Sequence, residues 1–237
     1  MERILTELVE KLKKAHGNRL VSVILYGSAA GAAEKDRFSD YNVLCVLTDV
    51  TSDDLAASEP IFRWWRDKKN PSPLLLSESE VRTSTDCFAI EFHDMKERNQ
   101  ILYGRDVLEG LEIDYSFYRA QVEHELRAKL LRLRQKAGGM LSDRDLLLRL
   151  MADSVSTFCV LMRHALLLAG ETQPQFEKRA VVAAARDKFG IDDGPFLALL
   201  DVREEKVKER DLQPAALFRE YLKQVYAVVD AVDQMQK

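Results

Sequence analysis

Two continuous apolar runs constrain the chain most: LVSVILY at residues 20–26 and YNVLCVL at residues 41–47. A strand with one wet face alternates apolar and polar residues, whereas a run apolar throughout suits a strand covered on both faces. Two such strands call for helices on each side of their sheet. The flanking sequence supplies the candidates. Ile4, Leu5, Leu8, Val9 and Leu12 fall at helical spacing, and Gly17 closes that helix. ASEPIFRWWRDKKN reads as helical, PSPLLLS as a short strand or extended segment, and CFAIEF as a further strand. HDMKERNQILYGRDVL reads as a turn, a short helix and an extended end.

The texture changes near Ile113, and from Tyr118 onward only helical patterns occur. YRAQVEHELRAKLLRLRQKA stops at Gly138-Gly139, and the next helix starts at a Ser142 cap and stops at Gly170. Another starts at Pro174, a short piece surrounds GPFLALLDVREEK, and a last helix runs from Pro214 to near Met235. The expected architecture is an α/β domain at 1–113 followed by an all-α bundle of about five helices at 114–237.

Composition excludes several classes of function. The chain has 237 residues, 46% hydrophobic and 31% charged, which suits a globular protein with a real core. A net charge of −4 provides no global basic field, so nucleic acid is not an expected partner. No apolar run approaches the roughly 20 residues of a membrane span. The stretch MERILTELVEKLKKAHG carries charges throughout, unlike a secretory signal, so a cytoplasmic location without a membrane partner is expected. Cys45, Cys87 and Cys159 lie far apart in apolar sequence and are expected to be buried free thiols.

The chemistry lies between the two apolar runs. A strand running into Gly27-Ser28 and then a short helix offers backbone N–H groups and a hydroxyl to an anion, and glycine lets the ligand approach closely. In FSDYN, Asp40 and Asn42 are two residues apart, so on a strand they project from one face. Oxygen ligands in that position suit Mg²⁺ shared with substrate phosphates. Glu91 stands in an otherwise apolar segment, where burying its charge needs a partner; a metal ion, a salt bridge or solvent would each serve. Asp86 is the alternative third carboxylate, because strand register is not fixed at this level.

This order of strand, Gly-Ser, short spacer, Ser-Asp-x-Asn and apolar strand resembles the nucleotidyltransferase superfamily. That superfamily includes DNA polymerase β-like enzymes, minimal nucleotidyltransferases and aminoglycoside nucleotidyltransferases. FAIEFHDMKERNQILYG is similar to the downstream portion of bacterial members with a C-terminal helical, HEPN-like substrate-binding domain. The resemblance implies that Gly27 and Ser28 hold a triphosphate, that Asp40 binds the catalytic metal, and that Asn42 occupies the place of a second metal-binding aspartate. Glu91 would then be the third carboxylate, binding metal or taking the proton from the attacking hydroxyl. The implied cofactors are Mg²⁺ and a nucleoside triphosphate, with ATP expected. The implied partners are that nucleotide and a small-molecule or protein acceptor, with a second copy of the chain as a further candidate. The reaction is in-line attack of an acceptor hydroxyl on the α-phosphorus, with pyrophosphate leaving.

Asn42 departs from the pattern. Its amide keeps an oxygen ligand but brings no charge, a loss worth about tenfold in metal affinity. The alternative is therefore a catalytically inactive protein of this fold that binds nucleotide or a partner protein.

Other residues attract blander readings. Arg119 and His124 match an R-x-x-x-x-H pair found in some helical nucleases, a spacing common by chance. Arg127, Lys129, Arg132, Arg134 and Lys136 read as a solvated helix face. Trp64 and Trp65 are neighbours on a helix, so one of them is expected in the core, and His164 reads as a core-edge histidine.

Overall fold

The computed structural model describes residues 3–31, 41–172 and 175–235. The chain forms two compact units, with the change from the first to the second falling between Phe117 and Tyr118.

The first unit is built on a four-stranded sheet of order β3-β2-β1-β4. β1 (Leu20–Tyr26) is central and antiparallel both to β2 (Asn42–Leu47) and to β4 (Asn99–Gly104). β3 (Leu74–Ser77) runs parallel to β2. Parallel neighbours need a crossover, and α2 (Ser52–Asp67) provides it, opened by a capping box between Thr51 and Asp54. Both faces of the sheet are covered. Val23, Leu25, Val43, Cys45 and Leu47 pack with Leu5, Leu8 and Leu12 of α1 (Arg3–His16) and with Ile61 and Trp65 of α2. The alternate residues Ile24, Leu44 and Val46 pack with Val81 of α3 (Glu78–Thr83) and with Phe92 and Met95 of α4 (Ala89–Glu97).

Two expectations for this unit are corrected. CFAIEF is not a strand: its second half begins α4, whose buried Ala89, Ile90, Phe92 and Met95 follow a helical rather than an alternating period. Cys87 is exposed, in the turn before α4, and its thiol donates to the Asp86 carboxylate, which raises the thiol's pKa. Cys45 and Cys159 are buried free thiols, pushed up to about 12 by burial. Of the two tryptophans, Trp65 is fully buried, while Trp64 is half-buried with the Lys11 ammonium 4.9 Å from its ring centroid.

A buried polar cluster joins α1 to α2. His16 Nε2 lies 3.0 Å from Ser58 Oγ, and Nδ1 lies 3.6 Å from Asp54 Oδ1. Thr51 Oγ1 donates to Asp54 at 2.6 Å, and Arg19 pairs with the same carboxylate. The three groups have the order of a hydrolytic triad, but Ser58 is only 1% exposed, so no substrate reaches it. The cluster is a structural tie. Burial lowers the His16 pKa, against the opposing pull of Asp54. A histidine held neutral in the fold takes up its proton more readily when unfolded. Its contribution is complete above the unfolded value of about 6.5 and is lost as pH falls below it. The melting temperature is expected to drop between pH 7 and pH 5, with a shallower slope in His16→Asn. Parallel slopes by circular dichroism would show that His16 does not titrate on unfolding.

The second unit is helical: α5 (Tyr118–Ala137), α6 (Arg144–Leu168), α7 (Lys178–Phe189), α8 (Gly194–Arg203) and α9 (Pro214–Asp233). α6 packs against the other four. Tyr221 of α9 is buried with its hydroxyl 3.0 Å from Ser154 Oγ and its ring against Phe158 and Phe196. The cap of α6 is Asp143 rather than Ser142: its carboxylate accepts from Leu146 N at 3.0 Å. Pro174 lies outside the described residues. Among the described residues no helix is long and apolar enough to cross a membrane.

Candidate functional site

The site is organised by the last residue of β1. Tyr26 is the Cα partner of Asn42 on one side and of Asn99 on the other. Residues opposite one another in antiparallel strands share a face, so the three side chains point to the same side of the sheet. That side carries Ile24, Leu44, Val46 and α4.

Immediately after Tyr26 the chain turns. Gly27 sits at φ +78, in the left-handed region that glycine enters without strain, and residues 27–30 form a single 3-10 turn. Gly27 N donates to Arg98 O at 3.1 Å, and Gly31 N donates to Ser28 O at 3.3 Å. Ser28 is exposed at the tip. A Cβ on Gly27 would lie 3.5 Å from Asn42 Nδ2, so the Asn42 amide flanks the turn. A Cβ on Gly31 would lie 2.8 Å from Arg98 Cζ and 3.1 Å from both Nε and Nη1. The Arg98 guanidinium thus packs directly on Gly31, and a side chain there would push this flexible end aside.

Glu91 belongs to the first turn of α4, not to a strand, and is exposed. Its charge is felt at Tyr26, whose hydroxyl pKa is raised first by burial and then by Glu91. The carboxylate therefore lies on the α4 side of the sheet, the side to which Asn42 points. The strand beside β2 offers no acid: residues 70–77, NPSPLLLS, contain none. Asp86 sits in the turn before α4 and accepts from Cys87. Asp40 lies outside the described residues. Among the described residues no group of three or more His, Cys, Asp or Glu is arranged to hold a metal ion. The atom that flanks the turn is the Asn42 amide Nδ2, while the Glu91 carboxylate is placed only by its charge acting on Tyr26.

Three contributors escaped the reading of the sequence. Arg98 is one of two basic residues of the segment KERNQ, and only its contact with Gly31 distinguishes it. Tyr26 ends an apolar run and reads as core. Asn70 accepts from Tyr41 N at 3.1 Å and pins the chain just before Asn42, a contact across 29 residues.

The candidates of the helical unit are engaged within that unit. Arg119 binds Glu123 at 2.9 Å and Val232 O at 3.3 Å, while His124 is exposed beside Glu125. Arg127 pairs with Glu123 and Asp233, and Lys129 with Glu125, as on an ordinary solvated face. His164 is fully buried, with Nδ1 2.5 Å from the Tyr118 hydroxyl.

No family model matches the sequence, and no curated protein does. Among solved structures, spectinomycin adenyltransferase AAD(9) from Enterococcus faecialis, with ATP and spectinomycin, matches at a TM-score of 0.64 and 15% identity. That match covers 99% of this chain and 100% of the other. A toxin–antitoxin complex with AMP-PNP gives a TM-score of 0.31 at 16% identity, over 43% of this chain and 74% of that one. The tri-AMPylated Shewanella oneidensis HEPN toxin in complex with MNT antitoxin gives 0.30 at 14%, over 57% and 97%. The sheet, the Gly-Ser turn after its central strand and the end-to-end match to AAD(9) identify a nucleotidyltransferase fold followed by a helical domain.

Proposed function

We propose that this protein transfers a nucleoside monophosphate from a Mg²⁺-bound nucleoside triphosphate to an acceptor hydroxyl. The observation that carries the proposal is the Gly27–Gly31 turn, flanked by the Asn42 amide on one side and by the Arg98 guanidinium on the other. Gly27 and Ser28 receive the phosphates: the left-handed glycine allows close approach, and the Ser28 hydroxyl is an exposed donor. Asp40 and Asn42 hold the metal. Mg²⁺ held there would supply positive charge against the phosphates. Glu91, exposed on the α4 side of the sheet and felt electrostatically at Tyr26, is the third carboxylate and takes the hydroxyl proton. The AAD(9) structure holds ATP and spectinomycin, which supports ATP as the nucleotide and a small molecule as the acceptor.

One observation favours a second reading. Asn42 is neutral where two carboxylates would hold metal more tightly, which suits a protein that binds nucleotide without turning it over. A single experiment separates the two. The protein is titrated with ATP and GTP in Mg²⁺ by calorimetry, then incubated with α-labelled nucleotide and a panel of small-molecule and protein acceptors. Binding weakened about tenfold or more in Ser28→Ala and Asp40→Ala, with label transferred to an acceptor, is the expected result. Binding without transfer supports the inactive form. Absence of binding at millimolar nucleotide overturns both.

A further inference from the structure

Asn42 leaves the site one negative charge short of a pair of metal-binding aspartates, and Arg98 adds a positive charge to the opposite flank of the same turn. A positive charge on one flank can stand in for an ion that the missing carboxylate would have held on the other. A two-metal site uses extra carboxylates to hold a second ion, whose service to the reaction is positive charge against the phosphates. A fixed guanidinium delivers that charge without any carboxylate to hold it in place. Resting on the nucleotide-binding reading above, we propose that Arg98 binds the phosphates of the nucleotide from the Gly31 side, so that the site works with one divalent cation and one arginine.

The geometry is that of a placed group, not a wandering surface side chain. The position a Gly31 Cβ would take is nearly equidistant from Cζ, Nε and Nη1 of Arg98, at 2.8, 3.1 and 3.1 Å, so the guanidinium lies face-on against the glycine. In that pose its N–H groups radiate along the turn rather than into it. A planar fork of this kind binds phosphate oxygens in pairs. Arg98 makes a further interaction within the chain, and five N–H donors can serve that partner and a phosphate at once. Its backbone is also fixed, because Arg98 O accepts from Gly27 N. The turn and the backbone that carries the cation are therefore tied together. Lysine would supply the charge as a mobile point but not the fork.

The test is a binding experiment, independent of turnover. Affinities for ATP and for inorganic tripolyphosphate are measured by calorimetry in EDTA and in Mg²⁺. The unmodified protein is compared with Arg98→Gln, Arg98→Lys, Gly31→Ala, and Asn42→Asp combined with Arg98→Gln. Each variant's fold is checked by circular dichroism. The expected result is about tenfold weaker binding of both ligands in Arg98→Gln, in EDTA as well as in Mg²⁺. Arg98→Lys should recover only part of this loss. Gly31→Ala should weaken binding less than Arg98→Gln, because the methyl shifts the flexible guanidinium while its charge stays. The double variant should regain affinity in Mg²⁺ but not in EDTA, since the restored carboxylate recruits metal in place of the arginine. Equal affinities of the unmodified protein and folded Arg98→Gln would overturn the role of Arg98 and leave the nucleotide site standing. Recovery of the double variant in EDTA would overturn the compensation, because it would not depend on metal. If the unmodified protein binds neither ATP nor tripolyphosphate, the nucleotide reading itself fails and takes this role with it.

Discussion

Gly104→Ala is expected to destabilise the first unit by about 3 kcal/mol or more. Gly104 ends β4 at φ +78, opposite Ser22 of β1. A methyl there would sit 2.0 Å from Val21 O and 2.9 Å from its carbonyl carbon. Both atoms are backbone of the central strand, so the new group has nowhere to go without prising β4 from β1. The left-handed conformation adds about 1 kcal/mol or more for a non-glycine residue. Gly17 supplies the control: it too has a positive φ, +54, but nothing lies within 4 Å of its missing Cβ. Gly17→Ala should lose only the conformational part, about 1 kcal/mol. Urea titrations of the two variants measure the difference. Equal losses would show that sheet contact at Val21 contributes nothing and that backbone conformation alone sets the effect.

Asn42→Asp is the complementary case, a gain at the site. The two side chains are nearly equal in size, so charge changes and packing hardly does. With Asp40 and Glu91 present, the restored carboxylate should tighten Mg²⁺ binding about tenfold and raise nucleotidyl transfer with it. The melting temperature should then rise with Mg²⁺ in Asn42→Asp more than in the parent. The gain should vanish in Asp40→Ala, since one carboxylate is a poor magnesium site. If position 42 faces no metal, a half-buried charge packed against Gly27 lowers stability by about 1–3 kcal/mol in either buffer. Thermal melts with and without Mg²⁺ therefore distinguish an inherited metal site from a strand end that merely resembles one.

How much of this was legible depended on where the physics is local. β1 and β2 were readable because each is apolar along most of its length, and that pattern has one good explanation, a sheet covered on both faces. The helical second half was readable because its periods are long and bounded by glycine and proline. CFAIEF was not readable, because a short apolar run fits a strand and a buried helix equally. The deciding residue was Met95, one turn further on, which completes a helical stripe with Ala89 and Phe92. The same ambiguity moved Glu91 from a strand to a helix while leaving it on the α4 side of the sheet. Arg98 was invisible for another reason. Its significance comes from Gly31, 67 positions earlier, and no local pattern links a basic residue to the glycine it packs on. Asn70 and Tyr41 are linked in the same nonlocal way.

The cysteines shape how these questions can be put to the molecule. Two thiols are sealed in the cores of their units and raised to about 12, so alkylating reagents leave them alone in the folded protein. Cys87 is in solvent, four residues ahead of Glu91. Its hydrogen bond to Asp86 raises its pKa and slows the reaction without covering the thiol. The natural sequence is thus already a single-label protein. A fluorophore on Cys87 would report from the threshold of α4 without any engineered cysteine, and a change in its emission on adding ATP and Mg²⁺ would test the proposed binding.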